Sequence, residues 1–197
     1  LLLRNSIFLG FLVLFSLFFL SGCQEEAKLS YKEGDYETQG CLKELGNKRD
    51  FLENKKIDLI VVSKGERKLS LYKNGQKLYS FRISLGKNPK GDKIKEGDFR
   101  TPEGTYVITR KKCHPKYYRM ISISYPSQED VRDANKKGVS AGGGITIHAQ
   151  PFWNSDGKGN DYTLKHDWTN GCIAVTNDAM DELWYAVTSG TPIKIVS

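Results

Sequence analysis

A chain of 197 residues is longer than one typical domain and short of two, so the length predicts one folded domain with a leader and a tether. With 39% apolar and 27% charged residues, the composition excludes disorder as the main state and leaves enough apolar side chain for a core. The 30 Lys and Arg behind a formal charge of +7 are spread along the chain. That spread excludes a dedicated nucleic-acid reader and suits attraction to a diffuse polyanion or an anionic surface.

Residues 1–22 read as a secretory signal peptide: Arg4 precedes a fourteen-residue apolar run from Ile7 to Leu20. The run is short for a membrane-spanning helix, which needs about 20 residues. The closing Leu20-Ser21-Gly22-Cys23 resembles the bacterial lipobox, in which small residues admit a peptidase that cuts before an acylated Cys. Lipidation at Cys23 is therefore expected, with the membrane as a partner through that lipid; an uncleaved anchor is the other reading. The chain is placed in the cell envelope, and in the outer membrane if the cell is Gram-negative, because Gln24 stands where inner-membrane retention commonly uses Asp. Removing Cys23 leaves Cys41, Cys113 and Cys172, an odd number for an oxidising compartment, so one thiol stays free or pairs between molecules. Cys172 is expected to be the free one, and a Cys41–Cys113 bridge is left open.

Residues 23–56 are polar and charge-rich and read as a tether, with a short helix at most around 40–52. The folded domain is expected over residues 57–197. Its first strand is the β-branched run from Ile57, and a β-hairpin follows in which Leu69, Leu71, Leu78, Phe81 and Ile83 flank Asn74-Gly75, a dipeptide suited to a type I′ turn. Gly97, Pro102 and Gly104 then punctuate a turn-rich loop before strands at about 106–109, 121–124 and 144–148, with a last strand at about 193–196. Helices are predicted at about 128–137 and 178–188. The second places Met180, Leu183, Trp184 and Val187 on one face, with Asp178, Asp181 and Glu182 near its positive end. The expected fold class is mainly β, with one or two packed helices.

The chemistry concentrates around Cys172 and the histidines His114, His148 and His166. Gly171 before the Cys lets a substrate backbone come close and frees two amides for a developing oxyanion. A buried structural thiol is the competing reading of a lone Cys. His148 ends a strand, where a satisfied core His is the plain alternative, and His166 is a rival base six residues before Cys172. Cys113-His114 lacks further ligands at metal spacing, and the 97–104 loop lacks the signature of a phosphate cradle, so it is read as turn structure. No metal and no cofactor are expected.

This constellation resembles the L,D-transpeptidase catalytic domain (YkuD-like) family. Its members carry a His at a strand end and, later, a Ser or Thr, a variable residue often His, then Gly-Cys. Here the His is His148 in GGGITIHA, and the later cluster is Thr169-Asn170-Gly171-Cys172. The hairpin from Ile57, the 97–106 loop, Ile123-Ser124-Tyr125-Pro126 and Gly190-Thr191-Pro192-Ile193 extend the likeness over residues 57–197.

The resemblance implies a β-sandwich and a cell-wall enzyme acting on peptidoglycan stem peptides through a Cys172 thioester. A thiol of ordinary pKa about 8.5 is only a few per cent thiolate at neutral pH, so a base is needed, and His148 fits. The family orients this His through the carbonyl that follows it, here that of Ala149. Gly171 and Cys172 amides would hold the oxyanion, and Thr169 would shape the donor site. The chain departs from the family in Asn170, where many members have His, and in Ala174, where many have Arg or Asn. The stretch 149–168 is a long insertion able to form a flap. Other functions in view are an L,D-carboxypeptidase or hydrolase on the same chemistry, and a non-catalytic lipoprotein that binds peptidoglycan. A monomer is expected.

Overall fold

The computed structural model describes residues 56–151 and 163–197. The expected signal peptide, the expected lipidation at Cys23, the expected tether up to residue 55 with its possible short helix, Cys41 and the 152–162 part of the expected flap lie outside the described residues. Cys113 is disulfide-bonded, and Cys172 is the free cysteine among the described residues.

The expected hairpin is present as β2 (Lys68–Lys73) and β3 (Gln76–Arg82). Asn74 and Gly75 between them take φ of 50° and 75°, the paired positive values that match the twist of the flanking strands. The Ile57 run becomes β1 (Leu59–Ser63), antiparallel to β2 and parallel to the last strand, β8 (Pro192–Val196). β8 then pairs with β4 (Gly104–His114), which pairs with β5 (Tyr118–Ile123). β6 (Thr146–His148) and the two-residue β7 (Ile173–Ala174) complete one eight-stranded sheet in the order β3-β2-β1-β8-β4-β5-β6-β7.

β4 serves both halves of that sheet: its first residues pair with β8, and after a register shift between Ile108 and Arg110 the strand continues along β5. The polar run Arg110-Lys111-Lys112 hides this second half from a sequence reading, which ends the strand near Thr109. The two ends of the sheet are stitched together where Ser84, just past β3, exchanges backbone hydrogen bonds of 2.9 and 2.8 Å with Ala174 of β7. Leu69, Ile108, Ile121, Ile147, Ile173 and Ile193, from six different strands, share the core so enclosed.

Two helices complete the fold. In α1 (Gln128–Lys136), Ser127 Oγ accepts from the Asp130 amide and the Asp130 carboxylate accepts from the Ser127 amide, closing a capping box. α2 (Asn177–Ala186) starts on the Thr176 side chain and buries Met180, Leu183 and, just past its end, Val187 against the sheet. Its C-terminal carbonyls are met by Lys111, whose Nζ donates to Trp184 O at 2.6 Å and Val187 O at 3.0 Å. Asp181, placed by the sequence near the positive end of this helix, is buried and paired with Arg119 of β5 at 2.5 Å. The Arg119 guanidinium is fully buried between the rings of Tyr118 and Trp184.

Candidate active site

β6 and β7 carry the two residues that the sequence singles out. They pair in parallel, Ile147 opposite Ile173 and His148 opposite Ala174. One step back along that register sets Thr146 opposite Cys172, and Thr146 Oγ1 lies 3.5 Å from Cys172 Sγ. Side chains two apart on a strand share a face, so Thr146, His148 and Cys172 all project to the same side of the β6–β7 pair. His148 and Cys172 are thus diagonal neighbours, a separation of about 7–8 Å between backbones that long or planar side chains bridge.

His148 is 2% exposed. Its Nδ1 sits 2.9 Å from the Ala149 carbonyl, and because a carbonyl only accepts, Nδ1 holds the proton and Nε2 keeps its lone pair. The ring is gripped by two aromatics: Tyr117, from the turn between β4 and β5, at 4.3 Å between centroids, and Trp168 edge-on at 5.5 Å. Burial pulls the His148 pKa down from 6.5 to about 4, aided by the charges of His114 and Lys116 and opposed by the Ala149 hydrogen bond. The ring is therefore a neutral, fixed acceptor at neutral pH. His114 stacks on the outer side of Tyr117 at 5.4 Å, and its Nδ1 accepts the Lys116 amide. His166 is exposed.

Cys172 is partly exposed, at the end of a tightly built loop. Thr169 builds it: its hydroxyl accepts the Gly171 amide at 3.1 Å and donates to the Cys172 carbonyl at 2.7 Å. The Gly171 N–H, expected to be open to an oxyanion, is directed to the Thr169 hydroxyl in this structure. The Cys172 amide has no partner among the described residues. Asn170 is exposed and receives Lys87 Nζ on its Oδ1 at 3.2 Å. The thiol donates to Gly144 O at 3.7 Å and accepts from Thr146; no hydrogen bond joins it to His148 in this conformation.

Gly171 is needed at this point for space as well as conformation. Its φ of 128° suits glycine, and an added Cβ would lie 2.7 Å from the Arg100 carbonyl. The same loop presses on Gly86, where a Cβ would lie 2.1 Å from Phe99 O. The 97–104 stretch, read from sequence as plain turn structure, is thus the wall against which the Gly171-Cys172 loop is set. It is held from behind by the buried ammonium of Lys64, which donates to Gly91 O, Thr101 O and Glu103 Oε1 at 2.6, 2.8 and 2.9 Å. Burial pushes the Asp98 carboxyl up, but Lys93 and the amides of Ile94, Lys95 and Arg100 overrule it and hold the pKa at about 2.

Thr146 and Gly86 belong to the site without standing out in the sequence. For Thr146 a signal exists: the strand alternation of Thr-Ile-His puts it on the face of His148. Tyr117, Trp168 and Gly86 join the site through contacts between elements remote in the chain.

A sheet stitched closed over its core, with a strand-end His and a Thr-x-Gly-Cys loop on one face, defines a class of catalytic domain. The family model for the YkuD L,D-transpeptidase catalytic domain matches residues 57–195, and the chain belongs to that family. It is 31% identical over 135 residues to YafK, a candidate L,D-transpeptidase of Escherichia coli K12, covering 66% of this chain and 46% of YafK. Among solved structures it is similar to the helical cell shape determining protein Pgp2 of Campylobacter jejuni, at 26% identity and a TM-score of 0.54, over 79% of this chain and 53% of Pgp2. It is also similar to Bd1075 of Bdellovibrio bacteriovorus, at 28% identity and a TM-score of 0.52, over 73% and 49% of the two chains. The chain spans about half the length of these relatives.

Proposed function

We propose that this chain is a cell-envelope L,D-transpeptidase that acts on peptidoglycan stem peptides through a thioester on Cys172, anchored to the membrane by lipidation at Cys23. Membership of the family supports the reaction class, and the names of YafK and Pgp2 agree with a role in wall chemistry or cell shape. The observation that carries the assignment of residues is the parallel β6–β7 register, which sets a partly exposed thiol and a neutral imidazole on one face.

In the proposed reaction a rotation of the thiol brings Sγ–H to His148 Nε2, which takes its proton. The thiolate attacks the carbonyl carbon of the bond to be broken, and the Cys172 N–H receives the oxyanion. Collapse of the tetrahedral intermediate expels the leaving amine, which takes the proton from His148, and leaves an acyl group on sulfur. An acceptor amine then attacks the thioester, gives its proton to Nε2, and departs joined to the acyl group as the thiol is restored. Thr169 holds the loop in shape and Ala149 O holds the ring.

The test is incubation of the purified soluble part of the chain with tetrapeptide muropeptides, with products read by mass spectrometry. Cross-linked dimers support transfer, and loss of the terminal residue alone assigns the chain to hydrolysis instead. Cys172→Ala and His148→Ala should each lower turnover by about a thousandfold or more while the domain stays folded. Wild-type turnover in Cys172→Ala would sink the assignment. A carbapenem should add covalently to Cys172, visible as an intact-mass shift that Cys172→Ala lacks.

A further inference from the structure

Thr146 stands apart from its surroundings. It is 5% exposed, shares the face of β6 that carries His148, and directs its hydroxyl to Cys172 Sγ at 3.5 Å. A buried hydroxyl needs a partner, and here the partner is the reacting atom of the proposed mechanism. We propose that Thr146 is a further catalytic residue, whose hydroxyl donates to the Cys172 sulfur and stabilises it as the thiolate. The proposal rests on Cys172 being the nucleophile and adds to that reading.

The geometry gives the sulfur two different neighbours for its two protonation states. As a thiol it donates to Gly144 O at 3.7 Å. As a thiolate it has no proton to give, and a bare carbonyl is then a poor neighbour, whereas the Thr146 O–H is a donor in both states. When the S–H proton passes to His148 Nε2, charge appears on sulfur, and the hydrogen bond from Thr146 strengthens because its acceptor has become ionised. This help matters because the base is weak. His148 is buried, its Nδ1 faces a carbonyl rather than a carboxylate, and the groups facing it, His114 and Lys116, add no negative charge to favour an imidazolium. With so little support for the cation, stabilisation of the anion falls to the donors around sulfur. Among the described side chains, Thr146 is the one within hydrogen-bonding distance of Sγ.

The parallel pairing also explains why a Thr suits this place. Opposed side chains on β6 and β7 come close, and a β-branched residue is restricted at χ1, so the hydroxyl is held on the sulfur instead of rotating among partners.

The test measures thiol acidity directly, in the full chain and without substrate. The rate of iodoacetamide labelling of the Cys172-bearing peptide is followed by mass spectrometry across a pH series. Thr146→Val keeps shape and removes the donor, and it should raise the labelling midpoint by about one pH unit, a roughly tenfold loss of thiolate at neutral pH. Thr146→Ser keeps the donor and should hold the wild-type midpoint to within a few tenths of a unit. If the Val variant does not fold, Thr146→Ala carries the same expectation. Identical midpoints for wild type and the Val or Ala variant would overturn the proposal, as would a Ser variant shifted as far as Val, which would make the effect one of packing. Failure of the broader reading looks different: wild type would show no turnover, whatever the labelling midpoints do.

Discussion

The two ends of the sheet are built on different terms. Around β1, β2, β3 and β8 the strands run five to seven residues, burial alternates along β1 and β8, and β2 and β3 turn on Asn74-Gly75, so local preference goes far toward setting this end. At β6 and β7 there are three residues and two, far too few to hold a geometry by ladder hydrogen bonds alone. There the positions are set by side-chain and steric contacts: Thr169 on the Gly171 amide and the Cys172 carbonyl, and the remote Arg100 and Phe99 carbonyls against two glycines. Regular structure supplies stability at one end, and interlocked loops supply placement at the other, where the chemistry is proposed.

Substitutions at the β6–β7 end should therefore lower turnover, and those at the hairpin end should leave it unchanged. The largest loss is expected from Asp181→Ala, which takes the carboxylate away from the fully buried Arg119 guanidinium and should cost about 3–5 kcal/mol in denaturant unfolding. A Gly171→Ala change adds a Cβ 2.7 Å from the Arg100 carbonyl at a φ of 128°. It should lower turnover by about a hundredfold or more, with a stability cost of about 2–4 kcal/mol. Thr169→Val removes both hydrogen bonds that shape the Cys172 loop, and about 1–3 kcal/mol should appear mainly as a ten- to hundredfold drop in turnover. Gly75→Ala is the contrast: nothing lies within 4 Å of the new Cβ, the positive φ costs about 1 kcal/mol of stability, and turnover should not change. If Gly75→Ala reduced turnover as much as Thr169→Val, the division between the two ends would fail.

The smallest effects concern pH. As the proposed base His148 can take a proton only when neutral, and its pKa is lowered to about 4, so the acid limb of kcat/KM should fall well below 6.5. The sign for stability follows from proton binding: between pH 6.5 and about 4 the unfolded chain takes up a proton that the folded chain refuses, so His148 destabilises the fold progressively as pH falls. Asp98 works the other way. Its folded pKa of about 2 lies below the ordinary 3.8, so its stabilising contribution is complete above about pH 4 and lost as pH falls through 2. Urea unfolding of Asp98→Asn and wild type, followed from about pH 2 to pH 7, should converge at the acid end.

The proposed nucleophile and base are legible in the sequence because a His at a strand end and a Thr-x-Gly-Cys loop match the family's pattern. Several of their supports are not legible that way. Asp181 carries the same letters whether it faces water near a helix start or lies under Arg119; only the docking of α2 on β5 decides between them. The second half of β4 is hidden because its residues between Thr109 and Cys113 are all basic, and β7 because a two-residue strand leaves no period to detect. The Gly171 amide is expected to be open to an oxyanion, and in this structure it is directed to the nearby Thr169 hydroxyl.

From its residues alone this chain determined the elements governed by nearest neighbours: the Asn74-Gly75 hairpin, the capped α1, the apolar face of α2 and the family's Cys and His. Tertiary structure decided which polar groups would be buried together, which amide stayed open, and that Thr146 would meet the sulfur of Cys172. The reason is physical: backbone preference and hydrophobic period act over a few residues, whereas a hydrogen bond or a steric contact between distant segments exists only once the sheet has brought them within ångströms.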